Sequence, residues 1–150
     1  MKITKDLYQS NLVLLTDFYQ LTMAYAYWKS GKGEQESVFN LFFRKNPFEG
    51  GFTLAAGLDY VVDFCKNLRF GESELEYLRQ MKQKDGSPLF VEAFLVYLKE
   101  LRFTCDMDAV EEGTVVFPNA PLVQVKGTLI QCQLLETPLL NILNFQTLIA

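Results

Sequence analysis

The chain contains no histidine, and that absence removes the imidazole base from Ser-His and Cys-His nucleophile activation. Any chemistry must rest on carboxylates, tyrosine, lysine and arginine. The cysteines Cys65, Cys105 and Cys132 stand far apart inside apolar patterns with no CxxC pair. They read as buried free thiols of a reducing compartment, and a zinc site is not expected. Asp106, Asp108, Glu111 and Glu112 are oxygen ligands of the kind a hard cation takes. Their alternation with Cys105, Met107 and Ala109 fits a solvated strand face better, so no metal site is assigned. Glu136 is an acid in a densely apolar segment, where unpaired burial would be costly. A structural role is expected for it, either paired with polypeptide elsewhere or capping through Thr137.

The elements that must position such residues belong to a globular chain. Its 150 residues fit one domain, and 49% hydrophobic residues, including 13 Phe and 7 Tyr, supply a core. The net charge is −4, from 18 acids against 14 bases, and the bases are scattered. A nucleic-acid partner wants clustered bases and an anionic membrane wants a polybasic patch, so neither is expected. Residues 1–10 lack the apolar stretch and cleavage site of a secretory leader. Residues 134–150 are too short and too polar to span a bilayer. The cytoplasm is the default location.

Apolar residues Leu14, Phe18, Leu21, Tyr25 and Trp28 recur at spacings of four and three, predicting an amphipathic helix opened by Thr16 or Asp17. Residues 36–44 alternate as a strand, with Phe39, Leu41 and Phe43 on one face. Asn46-Pro47 and Gly50-Gly51 break the chain. Leu54, Leu58, Val61, Cys65 and Leu68 predict a second helix. Ser73 with Glu76 reads as a capping box, and Ser87-Pro88 as the opening of another helix through Phe90, Phe94 and Tyr97. From Phe103 the pattern becomes strands and turns, expected to form an antiparallel meander ending at Gly127. After Gln131 it turns helical, with Pro138 near a first turn or at a kink. This mixture is α+β rather than a run of βαβ units. The last residues, Leu148, Ile149 and Ala150, stop inside an apolar pattern. An interrupted chain is expected, with a terminal helix buried in a dimer as the alternative.

Three stretches resemble nicotinate phosphoribosyltransferases. The first runs over residues 14–23 as LLTDFYQLTM. The second is FFRKNPF at 42–48, followed by Ala55-Ala56-Gly57-Leu58. The third comprises Glu112-Gly113, Phe117-Pro118, Pro121-Leu122, Gly127 and LLETPLLN at 134–141. Their order and spacing make the resemblance specific, and it covers essentially the whole chain.

The resemblance implies the fold of the N-terminal domain of a type II phosphoribosyltransferase, with helices packed on a mostly antiparallel sheet. Residues 1–150 would be that α+β domain, ending in a helix at about 131–150 that leads into an α/β barrel absent from the chain. It implies a ligase or glycosyltransferase joining nicotinate to 5-phosphoribosyl 1-diphosphate. The products are nicotinate mononucleotide and diphosphate, formed with ATP hydrolysis in the salvage route to NAD. It implies ATP and Mg with sites outside this chain, coupling through a phosphorylated barrel histidine, and a homodimer with its active site at the interface. On that footing the fragment is expected to be inactive alone. A non-catalytic α+β binding or dimerisation module is the alternative.

Residue by residue, the resemblance gives Tyr19 the role of stacking on nicotinate from the partner subunit, which suits a flat aromatic ligand. Otherwise Tyr19 is a second buried face of its helix, beside Leu15 and Met23. Asp17 is a polar group positioning the base or Tyr19, or else a helix cap. Arg44 matches an arginine reaching phosphate oxygens of the phosphoribosyl donor, a task for a planar fork of donors; otherwise it is a solvated residue at a strand end. Lys45 reads as a wet turn lysine. No catalytic residue is expected within this chain.

Overall fold

A computed structural model describes residues 12–150. The stretch at residues 1–10, read above for a leader, lies outside the described residues. In chain order the elements are α1 (Phe18–Lys29), β1 (Glu36–Leu41), a short 3-10 turn (Pro47–Glu49), β2 (Thr53–Leu54), α2 (Leu58–Lys66), α3 (Glu72–Arg79) and α4 (Glu92–Glu100). Then come β3 (Asp106–Ala109), β4 (Val115–Val116), β5 (Val123–Thr128), α5 (Leu129–Leu139), a π-helical turn (Leu140–Asn144) and α6 (Phe145–Ile149). The fold is α+β, with helices packed on antiparallel sheets.

β5 is the central strand of a three-stranded sheet, flanked by β1 and β3, with both pairings antiparallel. The alternation read for residues 36–44 holds. Phe39 lies opposite Val125 and Leu41 opposite Val123, and Leu41, Phe43, Val123 and Val125 are buried. α5 lies across this sheet and α1 packs on α5. Within β5, position 127 demands glycine, because a Cβ there would sit 3.1 Å from the Cys105 Cα.

Local signals misplaced several boundaries. Leu54 belongs to β2, not to the following helix, because β2 pairs with β4. That pairing also takes the strand at 115–116 out of the expected meander; the neighbour of β5 is β3 instead. The Ser73–Glu76 capping box does not form. Gly71 holds the cap position of α3, and the Glu76 carboxylate accepts from Arg79 and Gln80. Ser87 does not open α4 either, since its amide and hydroxyl both bond the Asp85 carboxylate within a turn, and α4 begins at Glu92. Phe18, placed on the buried stripe of α1, is 53% exposed; the buried face is Gln20, Leu21 and Ala24.

α5 begins at Leu129, and Pro138 sits near its end rather than in its first turn. A proline inside a helix has no N–H for the carbonyl four residues back, and the helix widens into the π-turn directly after it. Asp106, Asp108 and Glu111 are exposed, as the solvated-strand reading expects. Glu112 does more. Its carboxylate accepts from the backbone N–H of Gly57 at 2.8 Å and of Leu58 at 2.9 Å, capping α2 from a distant loop.

All three cysteines are free and buried. Loss of hydration pushes the Cys65 and Cys105 thiols up to about 12, from an ordinary 9.0, with a neighbouring cysteine adding to each shift. A folded-state value above the unfolded one makes its contribution to stability fully present below pH 9.0. That contribution is lost as pH rises from 9.0 through about 12, because the unfolded chain releases the protons first. Native thiols should therefore resist maleimide labelling at neutral pH and react at once in denaturant. The alkaline decline in the urea midpoint should be shallower in Cys65→Ala than in the unsubstituted chain. Rapid labelling of all three thiols in the native chain would contradict their burial.

Candidate functional site

The first turn of α1 and the middle of α5 carry polar side chains that face one another. Asp17 occupies the cap position of α1 with extended backbone, but its side chain makes no bond to its own helix. Its Oδ2 accepts instead from the Thr137 hydroxyl of α5 at 3.3 Å. Asp17 is the cap residue by position, with its carboxylate turned across the helix pair.

Tyr19 is not a core aromatic. It is 46% exposed, and its neighbours Leu15 and Met23 are exposed as well. Only its hydroxyl is tied down. It donates to Glu136 Oε1 at 3.1 Å and accepts from Gln20 Nε2 at 2.8 Å. Partial loss of hydration, followed by the bond to and negative charge of Glu136 and then the charge of Asp17, raises the phenol above its ordinary 10.0.

Behind the tyrosine, Gln20 is fully buried and Gln133 nearly so. Gln133 Nε2 donates to Gln20 Oε1 and to Glu136 Oε2, and Gln20 Nε2 donates to Thr137 Oγ1 at 3.2 Å. Asp17, Thr137, Gln20, Gln133, Glu136 and Tyr19 thus form one hydrogen-bonded group with a carboxylate at either end. Buried amides persist only when so satisfied. Glu136 does not cap through Thr137; its partners are Tyr19 and Gln133.

Arg44 follows β1 and is exposed. With Lys45, Glu136 and Asn144 it lines an open cleft of about 730 Å³, walled by apolar residues of β1 and α5 such as Phe39 and Leu135. Asn144, brought to this cleft by the π-turn, keeps its side-chain oxygen buried without a hydrogen-bond partner. The cleft offers two cationic side chains suited to an oxyanion, beside an apolar wall. The structure brings Asp17 and Tyr19 into one network and places Arg44 on a cleft sharing Glu136 with that network. Gln20, Gln133 and Thr137 are participants that sequence reasoning passed over. Their only signal was polarity at helical spacing within apolar segments.

The family model of the nicotinate phosphoribosyltransferase (NAPRTase) N-terminal domain matches residues 14–144. The chain belongs to this family. Nicotinate phosphoribosyltransferase of Caenorhabditis elegans is 46% identical over 145 residues, spanning 95% of this chain and 25% of that protein. The human Nicotinate phosphoribosyltransferase is 41% identical over 138 residues, spanning 91% of this chain and 25% of its own length. A crystal structure of human Nicotinic Acid Phosphoribosyltransferase superposes with a TM-score of 0.79 at 40% identity, covering 90% of this chain and 26% of that one. The chain therefore spans about a quarter of the length of the curated relatives it matches. In this nicotinate phosphoribosyltransferase N-terminal domain, Glu136 joins the aromatic face of α1 to the cationic rim of the cleft.

Proposed function

We propose that this domain supplies the N-terminal part of a nicotinate phosphoribosyltransferase active site. In the reaction the pyridine nitrogen of nicotinate bonds to the anomeric carbon of 5-phosphoribosyl 1-diphosphate and diphosphate leaves, with ATP hydrolysis coupled to the step. Tyr19 stacks on the pyridine, Asp17 steadies the start of α1 through Thr137, and Arg44 engages phosphate oxygens of the donor. The observation that carries this reading is the position of Glu136, which binds the hydroxyl of Tyr19 while lining the cleft that holds Arg44.

The ring of Tyr19 stands about half exposed, which supports a pocket completed by other polypeptide, including a second subunit of a homodimer. Among the described residues no three Asp, Glu, Cys or His side chains come together as a cation's ligand set. The reading assigns the Mg and ATP of the reaction to sites outside this chain. No described helix is long and apolar enough to cross a membrane, and the reading places the enzyme in the cytoplasm.

The test is direct. The purified 150-residue chain, supplied with nicotinate, 5-phosphoribosyl 1-diphosphate, ATP and Mg, should release no nicotinate-dependent diphosphate. Joined to the remainder of the enzyme, it should do so. Turnover by the chain alone would reject the shared site.

A further inference from the structure

We propose that Gln20, Gln133 and Glu136 are positioning residues for Tyr19: two buried amides and a carboxylate hold the phenol hydroxyl and so fix the long axis of the ring on which the pyridine lies. The inference rests on the stacking role given to Tyr19 above. It goes beyond that role by naming what fixes the ring.

An exposed tyrosine is ordinarily free to swing about its side-chain torsions. This one is anchored at its far end to another helix. The direction of each bond follows from the donor inventory. Gln20 Oε1 is taken by Gln133 Nε2, so the Gln20 NH₂ must face the other way, and its two protons go to Tyr19 Oη and Thr137 Oγ1. Flipping that amide would set NH₂ against NH₂ in a site with almost no solvent, since Gln20 is 0% exposed and Gln133 3%. The Tyr19 oxygen must then accept from Gln20, which leaves its own proton for Glu136 Oε1. Gln133 in turn holds the second oxygen of Glu136, at 3.3 Å, so the carboxylate cannot rotate freely. A side chain pinned at Cβ and at its hydroxyl has its long axis fixed, and only rotation about that axis is left to it. Because Glu136 also borders the Arg44 cleft, that axis is referred to the cleft itself. The rival explanation is that these polar groups only fasten α1 to α5.

Tyr19→Phe separates the two, because it keeps the stacking face and deletes the anchor. In the full-length enzyme, Tyr19→Phe and Glu136→Gln should each raise the nicotinate KM about three- to tenfold, the cost of ordering one side chain on binding, with kcat retained. The double variant should be no worse than Tyr19→Phe alone, since both remove the same restraint. In the 150-residue chain, NMR titration of a ring-labelled Tyr19 should place its phenol above 10.0, and Glu136→Gln should bring it back toward that value. Tyr19→Phe with an unchanged KM, or additive losses in the double variant, would overturn the positioning role. Should Glu136→Gln fail to fold, the Tyr19→Phe result decides alone. The stacking role is judged separately: loss of nicotinate affinity in Tyr19→Ala together with an unchanged Tyr19→Phe leaves stacking in place and removes positioning, whereas full affinity in Tyr19→Ala removes both.

Discussion

Tyr19→Ala in the full-length enzyme should weaken nicotinate binding by about thirtyfold or more while leaving the domain folded. Burying an aromatic face against a ligand is worth about 1.5–3 kcal/mol, and an offset-stacked pair adds about 0.5–1.5 kcal/mol. With about 1.4 kcal/mol per tenfold, even the lower ends of these ranges combined reach that size. The cost in stability should be small, because the side chain is 46% exposed and lies outside the hydrophobic core cluster. Its loss uncovers one buried donor, Gln20 Nε2, at a place that water can reach once the phenol is gone. Equilibrium binding of nicotinate to the folded variant, with thermal melting as the control, reads both quantities. Unchanged affinity in a folded variant would return Tyr19 to the role of a surface aromatic.

That such a variant can be named at all shows where the sequence was legible. The helix of Tyr19 was announced by Asp17 and by a three-and-four spacing, and the strand of Arg44 by alternation through Phe39, Leu41 and Phe43. These are local signals, written within one element. What stayed hidden depends on distant partners. Leu54 fits a helical stripe with Leu58 and Val61, and only its pairing opposite Val115 makes it a strand residue. Ser73 and Glu76 have the spacing of a cap, but Arg79 and Gln80 take the carboxylate. Phe18 lies on the apolar stripe of α1, yet the residues of that helix that become buried are Gln20, Leu21 and Ala24.

The site was split in the same way. Tyr19, Asp17 and Arg44 emerged from the resemblance to a family; no periodicity singles them out. Gln20, Gln133 and Thr137 emerged from neither route, because a glutamine has the same letter whether it is wet or holds a tyrosine in place. One physical hint was present. Gln133, Glu136 and Thr137 stand three and four residues apart, on one side of a helix whose other positions, Gln131 excepted, are apolar. Asp17 and Gln20 stand three apart on α1. Two such short polar rows on facing helices, with Gln20, Gln133 and Thr137 buried, call for each other.

The largest loss of stability is expected from Phe94→Ala, about 3–5 kcal/mol. Phe94 is fully buried in α4, and its ring meets Tyr25 at 5.0 Å, Trp28 at 5.6 Å, Phe90 at 5.7 Å and Tyr97 at 6.2 Å. Removing it empties the centre of the contact between α1 and α4, and four rings cannot all move inward to fill it. A whole domain is stable by only about 5–15 kcal/mol, so this one truncation takes a large share. Trp28 is the sole tryptophan, and it touches the lost ring, so its fluorescence reports both the unfolding transition and the altered native environment. Phe48→Ala supplies the contrast. The same side chain at 86% exposure should change stability by no more than about 0.5 kcal/mol. Urea titrations of the two variants side by side should show Phe94→Ala with a far lower midpoint and an unchanged slope. Equal midpoints would mean that the aromatic cluster does not hold α4 to α1. The platform carrying Tyr19 would then owe its placement to the sheet and α5 alone.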